Sequence, residues 1–419
     1  MTMFADILST VFERKVRFSG PASDDKRSTD ELALALVGAA GEISGRALGR
    51  QILDRYEAME DDEKLAFFRH LAEDMNIAPE TVRACLAQYE AMPSKDSYRA
   101  FMTAAEPQRQ ELIRRLNMVP GATGRLVNMR ADLLRLGKGD PALAALDLDF
   151  RHLFVSWFNR GFLVLRPINW ESPAHILEKI IAYEAVHAID SWDDLRRRLE
   201  PSDRRCFAFF HPAMPDEPLI FVEVALTKGV AGSVQALLSE DRDAIPEDHA
   251  DTAVFYSISN CQAGLASISF GNSLIKQVAG DLSLQMPGLK TFVTLSPIPG
   301  FKDWLVSENP DTHPADDAQL KALAAHYLVA AKREDGLPLD PVARFHLGNG
   351  ALVHKVHANA DPSEKGQRQS SGVMVNYLYD LAKISQNHER FAASRTVATS
   401  TEIRSLSTAA RKILGQEEG

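Results

Sequence analysis

The segment AVFYSISNCQAGLASISFGNSLIKQVAGD (residues 253–281) decides the fold of the second half of this 419-residue chain. It contains a β-branched and aromatic run, then a glycine-containing loop, and then a helical pattern. A strand that passes through such a loop into a helix presents backbone N–H groups at the helix N-terminus, where the helix dipole also favours an anion. The segment therefore predicts a sheet domain, and it makes the loop a candidate phosphate site. The alternative is a turn whose glycines serve only steric needs.

Strand-like runs and helical patterns alternate on both sides of this segment. The strand-like runs are RCFAFFHP (205–212), PLIFVEVALT (218–227) and KTFVTLSPIPGF (290–301), and the helical ones are HILEKIIAYEAVHAI (175–189) and DSWDDLRRRLEP (190–201). Further on, VARFHLGNGALVHKVHANAD (342–361) has the pattern of a strand, a glycine turn and a second strand. This alternation predicts a mixed α/β sheet, so the fold class is α+β.

The chain before residue 140 has a different pattern. Apolar residues recur there at steps of three and four, as in DDEKLAFFRHLAEDM (61–75) and EPQRQELIRRLNMV (106–119), without β-branched alternation. The segment GKGDP (137–141) interrupts the pattern. We therefore predict an all-helical domain over residues 1–140, and a sheet domain that binds ligand and carries the chemistry over residues 141–419.

The composition excludes several classes of protein. Hydrophobic residues make up 45% of the chain and charged residues 25%, as in ordinary globular proteins. The net charge of −10 argues against a nucleic-acid partner, since binding a phosphate backbone needs a basic surface. Three separated cysteines without CxxC spacing argue against a disulfide framework. With no apolar run of membrane-spanning length and no secretory signal, we expect a cytoplasmic protein with no membrane partner.

Common catalytic motifs such as GxxxxGK[ST], HExxH and GxSxG are absent from the sequence. His354 and His357 lie three apart, which on a strand places them on opposite faces, so we predict no metal site. Ser296, in TLSPIPG, follows a strand, where it is either a reactive hydroxyl or the capping residue of a rigid turn. His346 lies in an alternating apolar segment that alone is typical of a core histidine. Brought together, the two could transfer protons.

Several of these stretches together resemble the malonyl-CoA decarboxylase family. The residues that carry the resemblance are HPAMPDEPLIFVEVALT (211–227), FYSISNCQAGLASISFGNSLIKQV (255–278), TLSPIPGF (294–301), DPVARFHLGNGALVHKVHANAD (340–361) and VMVNYLYDL (373–381). The segment SWFNRGFLVLRPINWESPAHILEKI (156–180) resembles the entry into that family's catalytic domain. The similarity follows the order of the chain and covers most of residues 150–381.

The resemblance implies a helical oligomerisation domain, followed by a catalytic domain of the acetyltransferase (GNAT) fold. It implies that Ser296 and His346 are the catalytic pair. It also implies a homo-oligomer, with a tetramer favoured, and a place in malonate or fatty acid metabolism. The residues that it assigns to the cradle of the CoA pyrophosphate are Gln262, Gly264, Ala266, Ser267, Ile268, Ser269, Phe270, Gly271 and Asn272.

The chemistry that the resemblance implies suits these residue types. Loss of CO2 from malonyl-CoA gives acetyl-CoA through an enolate, whose charge needs positioned donors and whose α-carbon needs a proton. The thioester is the electron sink, so no cofactor is expected: no metal, biotin or pyridoxal. Two alternatives stay open, an acyl-CoA N-acetyltransferase and a non-catalytic acyl-CoA sensor. Release of CO2 from malonyl-CoA without an acceptor amine would distinguish a decarboxylase from both alternatives.

This chemistry predicts an activity that resists chelators and avidin. Because the thioester itself accepts the electron pair, neither a metal nor a biotinyl group has a step to perform. Conversion of malonyl-CoA to acetyl-CoA should proceed at an unchanged rate in EDTA or avidin. Loss of activity in EDTA that a divalent metal restores would contradict the cofactor-free route.

Overall fold

The computed structural model describes residues 25–268 and 274–415 of the chain. The described residues form two compact units. One comprises 25–164 with the short segments 210–217 and 262–268, and the other comprises 165–209, 218–261 and 274–415. A helical N-terminal region followed by a mixed sheet domain is confirmed. The segment FSGPASDDKRST (18–29), whose sequence predicts a loop or arm, lies mostly outside the described residues.

The first unit is built from amphipathic helices. In chain order they are α1 (Thr29–Gly38), α2 (Glu42–Glu57), α3 (Asp61–Glu73), α4 (Pro79–Ala91), α5 (Lys95–Ala105), α6 (Gln108–Leu116), α7 (Ala122–Leu136) and α8 (Pro141–Trp157). The predicted apolar stripe on α3 points inward, since Phe68 and Leu71 are buried and Met75 just beyond the helix is buried with them. Burying such a stripe is what stabilises helices of this length.

Helix α8 extends the helical region beyond the expected end at residue 140. Asp140 caps this helix by accepting hydrogen bonds from the backbone N–H groups of Ala142 and Leu143, and Pro141 occupies its first turn. Asp followed by Pro is a helix-start signal. The segment GKGDP is therefore a turn between two helices, and the helices continue to Trp157. The assignment of functions to residues 1–140 and 141–419 stays a prediction.

The second unit is organised around a mixed sheet. The strands are β1 (Val164–Ile168), β2 (Arg204–His211), β3 (Met214–Thr227), β4 (Thr252–Asn260), β5 (Thr291–Thr294), β6 (Ser296–Pro297), β7 (Leu352–His357) and β8 (Met374–Leu378). Their order in the sheet is β1-β2-β3-β4-β5-β8-β6, with β7 also paired to β8. The pairs β3–β4 and β5–β8 are antiparallel, whereas β4–β5 is parallel. The strands predicted around residues 205–227, 253–259 and 290–294 are confirmed.

Strands β4 and β5 separate partway along the sheet. They pair over four residues, from Thr252 with Thr291 to Phe255 with Thr294, and Leu295 N–H still donates to Phe255 C=O. Beyond this point β4 continues to Asn260 while it stays paired with β3. The second half of β4 thus has no β5 residue opposite it, and the chain that follows β5 turns toward β8.

Helices fill the connections between the strands. They are α9 (Ala174–Tyr183), α10 (Trp192–Leu199), α11 (Val234–Leu238), α12 (Leu274–Gln285), α13 (Phe301–Glu308), α14 (Asp317–Ala330), α15 (Pro341–Gly348), α16 (Glu364–Ser370), α17 (Ile384–Ser394) and α18 (Thr401–Ile413). In the part of the chain that the structure describes, no helix combines the length and the apolar character that a membrane crossing requires.

The prediction of a first strand within residues 342–349 is wrong. That segment forms α15, and only the second predicted strand exists, as β7. Asp340 accepts a hydrogen bond from the Ala343 N–H at the N-terminus of α15, and Pro341 fits the first turn. These two residues favour a helix more strongly than the short apolar alternation favours a strand.

Candidate active site

Ser296 lies directly after the point at which β4 and β5 separate. It forms β6 with Pro297, and the antiparallel pairing of Ser296 with Val375 attaches this short strand to β8. The side chain is 5% exposed. Pairing to β8 and the fixed backbone angle of Pro297 hold the hydroxyl in one place. The prediction that Ser296 lies at a strand end is thus met by the structure.

His346 reaches Ser296 from the last turn of α15. Its imidazole Nε2 lies 3.1 Å from Ser296 Oγ, although the two residues are fifty positions apart in the chain. The imidazole is 2% exposed. The structure therefore brings together the two residues predicted to act as a pair, with the histidine on a helix instead of a strand.

Two further hydroxyl groups extend this pair into a chain of four. Ser296 Oγ donates to Thr294 Oγ1 over 2.8 Å, and Tyr379 Oη lies 2.8 Å from His346 Nδ1. Because the hydroxyl hydrogen of Ser296 is directed at Thr294, the hydrogen between Ser296 and His346 belongs to Nε2. Nδ1 then accepts from Tyr379. The neutral imidazole therefore has its proton on the nitrogen that faces Ser296.

Residues of β8 and the residue after it form the walls around the imidazole. The ring of Tyr377 stacks on the ring of His346 with centroids 4.5 Å apart, and the Tyr377 N–H donates to Thr294 Oγ1. Asn376 donates to the backbone C=O of Thr294 over 2.7 Å. This one strand therefore fixes both the ring plane of His346 and the position of Thr294.

Burial makes the imidazole a weak base. It lowers the pKa of His346 to about 3, because the charged form would lose its hydration and the imidazole has no carboxylate to compensate. The Nδ1 partner is the Tyr379 phenol, whose own pKa burial raises above its usual value. The histidine is therefore neutral at physiological pH. A negative charge placed beside it would favour its protonation.

The loop after β4 holds the described part of the predicted phosphate cradle. Gln262 opens a short 3-10 turn (Ala263–Leu265), Gly264 lies within it, and Ala266 follows it. Ser267 has a φ of 63°, which is unusual for a residue with a side chain. Ile268 is the last described residue, and the predicted cradle residues Ser269, Phe270, Gly271 and Asn272 lie outside the described residues. The loop 262–268 belongs to the helical unit.

One of the two histidines considered for a metal, His357, has another partner. The Nε2 of His357 bonds to Oδ1 of Asn376. Among residues 25–268 and 274–415, no three His, Cys, Asp or Glu side chains are grouped as a metal would require. The absence of a bound metal from the working protein stays a prediction.

Sequence reasoning assigned no role to four residues of the site, namely Thr294, Asn376, Tyr377 and Tyr379. The two tyrosines are two positions apart in VMVNYLYDL, so a strand assignment would place them on the same side of the sheet. Thr294 has the same spacing from Ser296. The alternation of these two pairs of residues along a strand therefore indicated that each pair shares a face. Spacing could not show that His346, on α15, contacts those faces.

Comparison with known families gives matches to residues 76–158 and 161–416. The model of the malonyl-CoA decarboxylase N-terminal domain matches residues 76–158, and that of the malonyl-CoA decarboxylase C-terminal domain matches residues 161–316 and 307–416. A mitochondrial malonyl-CoA decarboxylase from Anser anser anser is 32% identical over 363 residues, which cover 74% of this chain and 71% of the relative.

Solved structures give the same result. The crystal structure of malonyl-CoA decarboxylase from Rhodopseudomonas palustris has a TM-score of 0.85 and 48% identity, covering 90% of this chain and 100% of that one. The enzyme from Agrobacterium vitis has a TM-score of 0.85 and 45% identity, covering 93% and 100%.

Proposed function

The chain belongs to the malonyl-CoA decarboxylase family, and we propose that Ser296 and His346 catalyse the loss of CO2 from malonyl-CoA. The observation that carries the proposal is the 3.1 Å contact between Ser296 Oγ and the buried His346 Nε2. The protein is an enzyme of this family, a carboxy-lyase that gives acetyl-CoA. The proposal concerns which of its residues do the chemistry, and how.

The first step that we assign to His346 is the uptake of a proton. The malonyl carboxylate brings a negative charge into a site where burial lowers the pKa of the imidazole and keeps it neutral. That charge raises the pKa of His346, and the imidazole takes a proton from solvent as the substrate binds. Nε2–H then donates to Ser296 Oγ, and Nδ1–H donates to Tyr379 Oη, so both ring protons have an acceptor.

The second step breaks the bond between the carboxyl carbon and the α-carbon. CO2 leaves, and the electron pair moves onto the thioester, which becomes an enolate. His346 then gives its Nε2 proton to the α-carbon, which yields acetyl-CoA and leaves a neutral imidazole with its proton on Nδ1. Proton exchange with solvent would then restore the resting form, in which the proton is on Nε2. One proton is consumed for each CO2 released, so the atoms and charges of the two steps balance without a metal, biotin or pyridoxal.

We further propose that the loop 262–272 binds the CoA pyrophosphate. The support from the described residues is local: the 3-10 turn and the left-handed backbone of Ser267 bend the chain sharply after β4. The N–H groups of Leu265, Ala266 and Ile268 donate within the loop, so the pyrophosphate would be bound by other N–H groups of this turn. The loop would thus supply binding, whereas Ser296 and His346 supply chemistry.

We propose self-association through the hairpin of α4 and α5. These two helices pack on each other, with the rings of Tyr89 and Tyr98 5.7 Å apart, yet α4 buries none of its residues and α5 only Ser97. Met92, Tyr98 and Met102 are each about half exposed or more. A helix pair that buries so little needs a further surface to be stable. A second copy of this chain, and ultimately a tetramer, would supply it.

A cytosolic location is proposed from the cysteines. Cys85, Cys206 and Cys261 are free, and the last two are buried. Free thiols in a folded protein are typical of a reducing compartment.

His346→Ala should lower kcat by at least about 100-fold, the scale of losing a general acid. The matched control is His326→Ala, which removes another buried histidine, one whose Nδ1 bonds to the backbone C=O of Ser407. The control should lose stability but keep its kcat.

Ser296→Ala should lower kcat while it changes the affinity for free CoA much less. Near wild-type turnover by a folded His346→Ala would overturn the role of His346.

Binding of the malonyl group should take up close to one proton for each site at neutral pH. The measurement is calorimetry of a non-decarboxylating malonyl-CoA analogue in two buffers of different ionisation enthalpy. Acetyl-CoA, which lacks the carboxylate, should bind without uptake, and His346→Gln should abolish the uptake. The kcat should fall as pH rises through the raised pKa of the complex, since only the protonated imidazole can donate. Identical binding enthalpies in both buffers would contradict the mechanism.

The wild-type chain should sediment above its subunit mass of 46.3 kDa at micromolar concentrations. The double variant Tyr98→Glu/Met102→Glu should shift it toward the subunit mass, because buried charges oppose association. Leu284→Glu is the control, since this apolar side chain is 82% exposed at the end of α12 and lies outside the hairpin. A wild-type chain that sediments as a single subunit would contradict the proposal.

A further inference from the structure

Arg130 is a fully buried arginine on α7 whose contacts reach beyond its own helix. Its side chain is 1% exposed. Nε donates to Asp147 Oδ1 on α8 over 2.7 Å, and Nη1 donates to the backbone C=O groups of Gly264 and Ala266 over 2.7 and 2.9 Å. A buried guanidinium requires such partners. This residue therefore joins two helices to the loop that follows β4.

The hydrogen bonds from Arg130 complete a pattern in the loop 262–268. The C=O groups of Gln262, Ala263 and Leu265 accept from the N–H groups of Leu265, Ala266 and Ile268. Arg130 donates to the other two carbonyl oxygens, those of Gly264 and Ala266, so each of the five carbonyls from 262 to 266 has a donor. Carbonyl oxygens repel an anion. A loop that binds phosphate must keep its carbonyls away from the ligand, and here all five are held by protein donors.

The loop also approaches α7 more closely than a side chain would permit. A Cβ at Gly264 would lie 1.8 Å from the backbone oxygen of Val127. That oxygen cannot move without distorting the helix. Gly264 therefore serves to let the loop come within reach of Arg130.

From these contacts we propose that Arg130 is a positioning residue for CoA, which holds the loop 262–268 in the shape that binds the pyrophosphate. The proposal rests on the function proposed above for this loop. Arg130 touches neither the substrate nor the reacting atoms, since its donors are used by Asp147 and by the loop. Loss of the Arg130 side chain should therefore raise the Kd for CoA far more than it lowers kcat.

Arg130→Met tests the proposal against a matched control, Arg109→Met. Arg109 is also buried in the helical unit and pairs with a carboxylate of α8, Asp149, but its second bond goes to Ala72 C=O on α3 and not to the loop. Both variants should lose thermal stability. Only Arg130→Met should raise the Kd for free CoA, by about tenfold or more, with kcat at saturation within about threefold of wild type.

Two further variants keep the test decisive if Arg130→Met does not fold. Arg130→Lys keeps the charge but cannot hold Asp147 and two carbonyls together, so its Kd should fall between those of Arg130→Met and the wild type. Gly264→Ala pushes the loop away from α7 and should raise the Kd while Arg130 is intact. Wild-type affinity for CoA in a folded Arg130→Met, or equal weakening in Arg109→Met, would overturn the proposal.

Hydrogen exchange separates the role of Arg130 from that of the loop. In Arg130→Met the amides of 262–268 should exchange faster than in wild type even without CoA, and bound CoA should protect them in the wild type. Unchanged exchange in the variant would overturn the positioning role. A wild-type enzyme that binds CoA without protecting the loop would overturn the phosphate cradle itself.

Discussion

The separation of β4 from β5 is the constraint from which the candidate active site follows. The two strands pair over four residues, and parallel pairing then stops because the chain after Thr294 turns to β8. That turn places Ser296 beside β8 and not beside β4. It also puts Thr294, Ser296 and the residues of β8 within reach of one helix, α15. Without the separation, Ser296 would be an ordinary residue in the middle of a sheet.

Burial without a charged partner gives the histidine its chemical character. In the familiar catalytic triads a carboxylate stabilises the imidazolium. Here the partner of His346 Nδ1 is the Tyr379 phenol, so the free enzyme has a neutral imidazole. In the proposed mechanism the malonyl group would supply the missing negative charge. The substrate itself would thus complete the site, which would favour malonyl-CoA over acyl-CoA molecules that have no carboxylate.

Much of the fold could be predicted from local patterns. The strands around 205–227 and 253–259 have β-branched and aromatic runs, and the helix stripe on α3 has the three-and-four spacing. The helix that carries His346 was misread because a short apolar alternation was weighed above Asp340 and Pro341, which start a helix. The segment GKGDP predicts the end of the helical region because of its two glycines, although Asp140 and Pro141 within it start another helix.

The candidate site was predicted in part. Ser296 and His346 were named through the family resemblance, whereas the role of Tyr379 needed the three-dimensional structure, because its hydrogen bond to His346 spans 33 positions of the chain and leaves no local pattern. Arg130 had no signal at all in the sequence. An arginine in a helical segment is usually exposed to solvent. Only its burial and its hydrogen bonds to Gly264 and Ala266 distinguish Arg130 from such a residue.

The central claim is that the malonyl group reacts beside Ser296 and His346. A crystal structure of the enzyme with a non-decarboxylating malonyl-CoA analogue tests it most directly. The account predicts that the α-carbon lies within about 3.5 Å of His346 Nε2, the separation from which a proton can be delivered. It also predicts that the carboxylate lies close enough to the imidazole to favour its charged form. A malonyl group bound away from both Ser296 and His346, with their hydrogen bond undisturbed, would contradict the account.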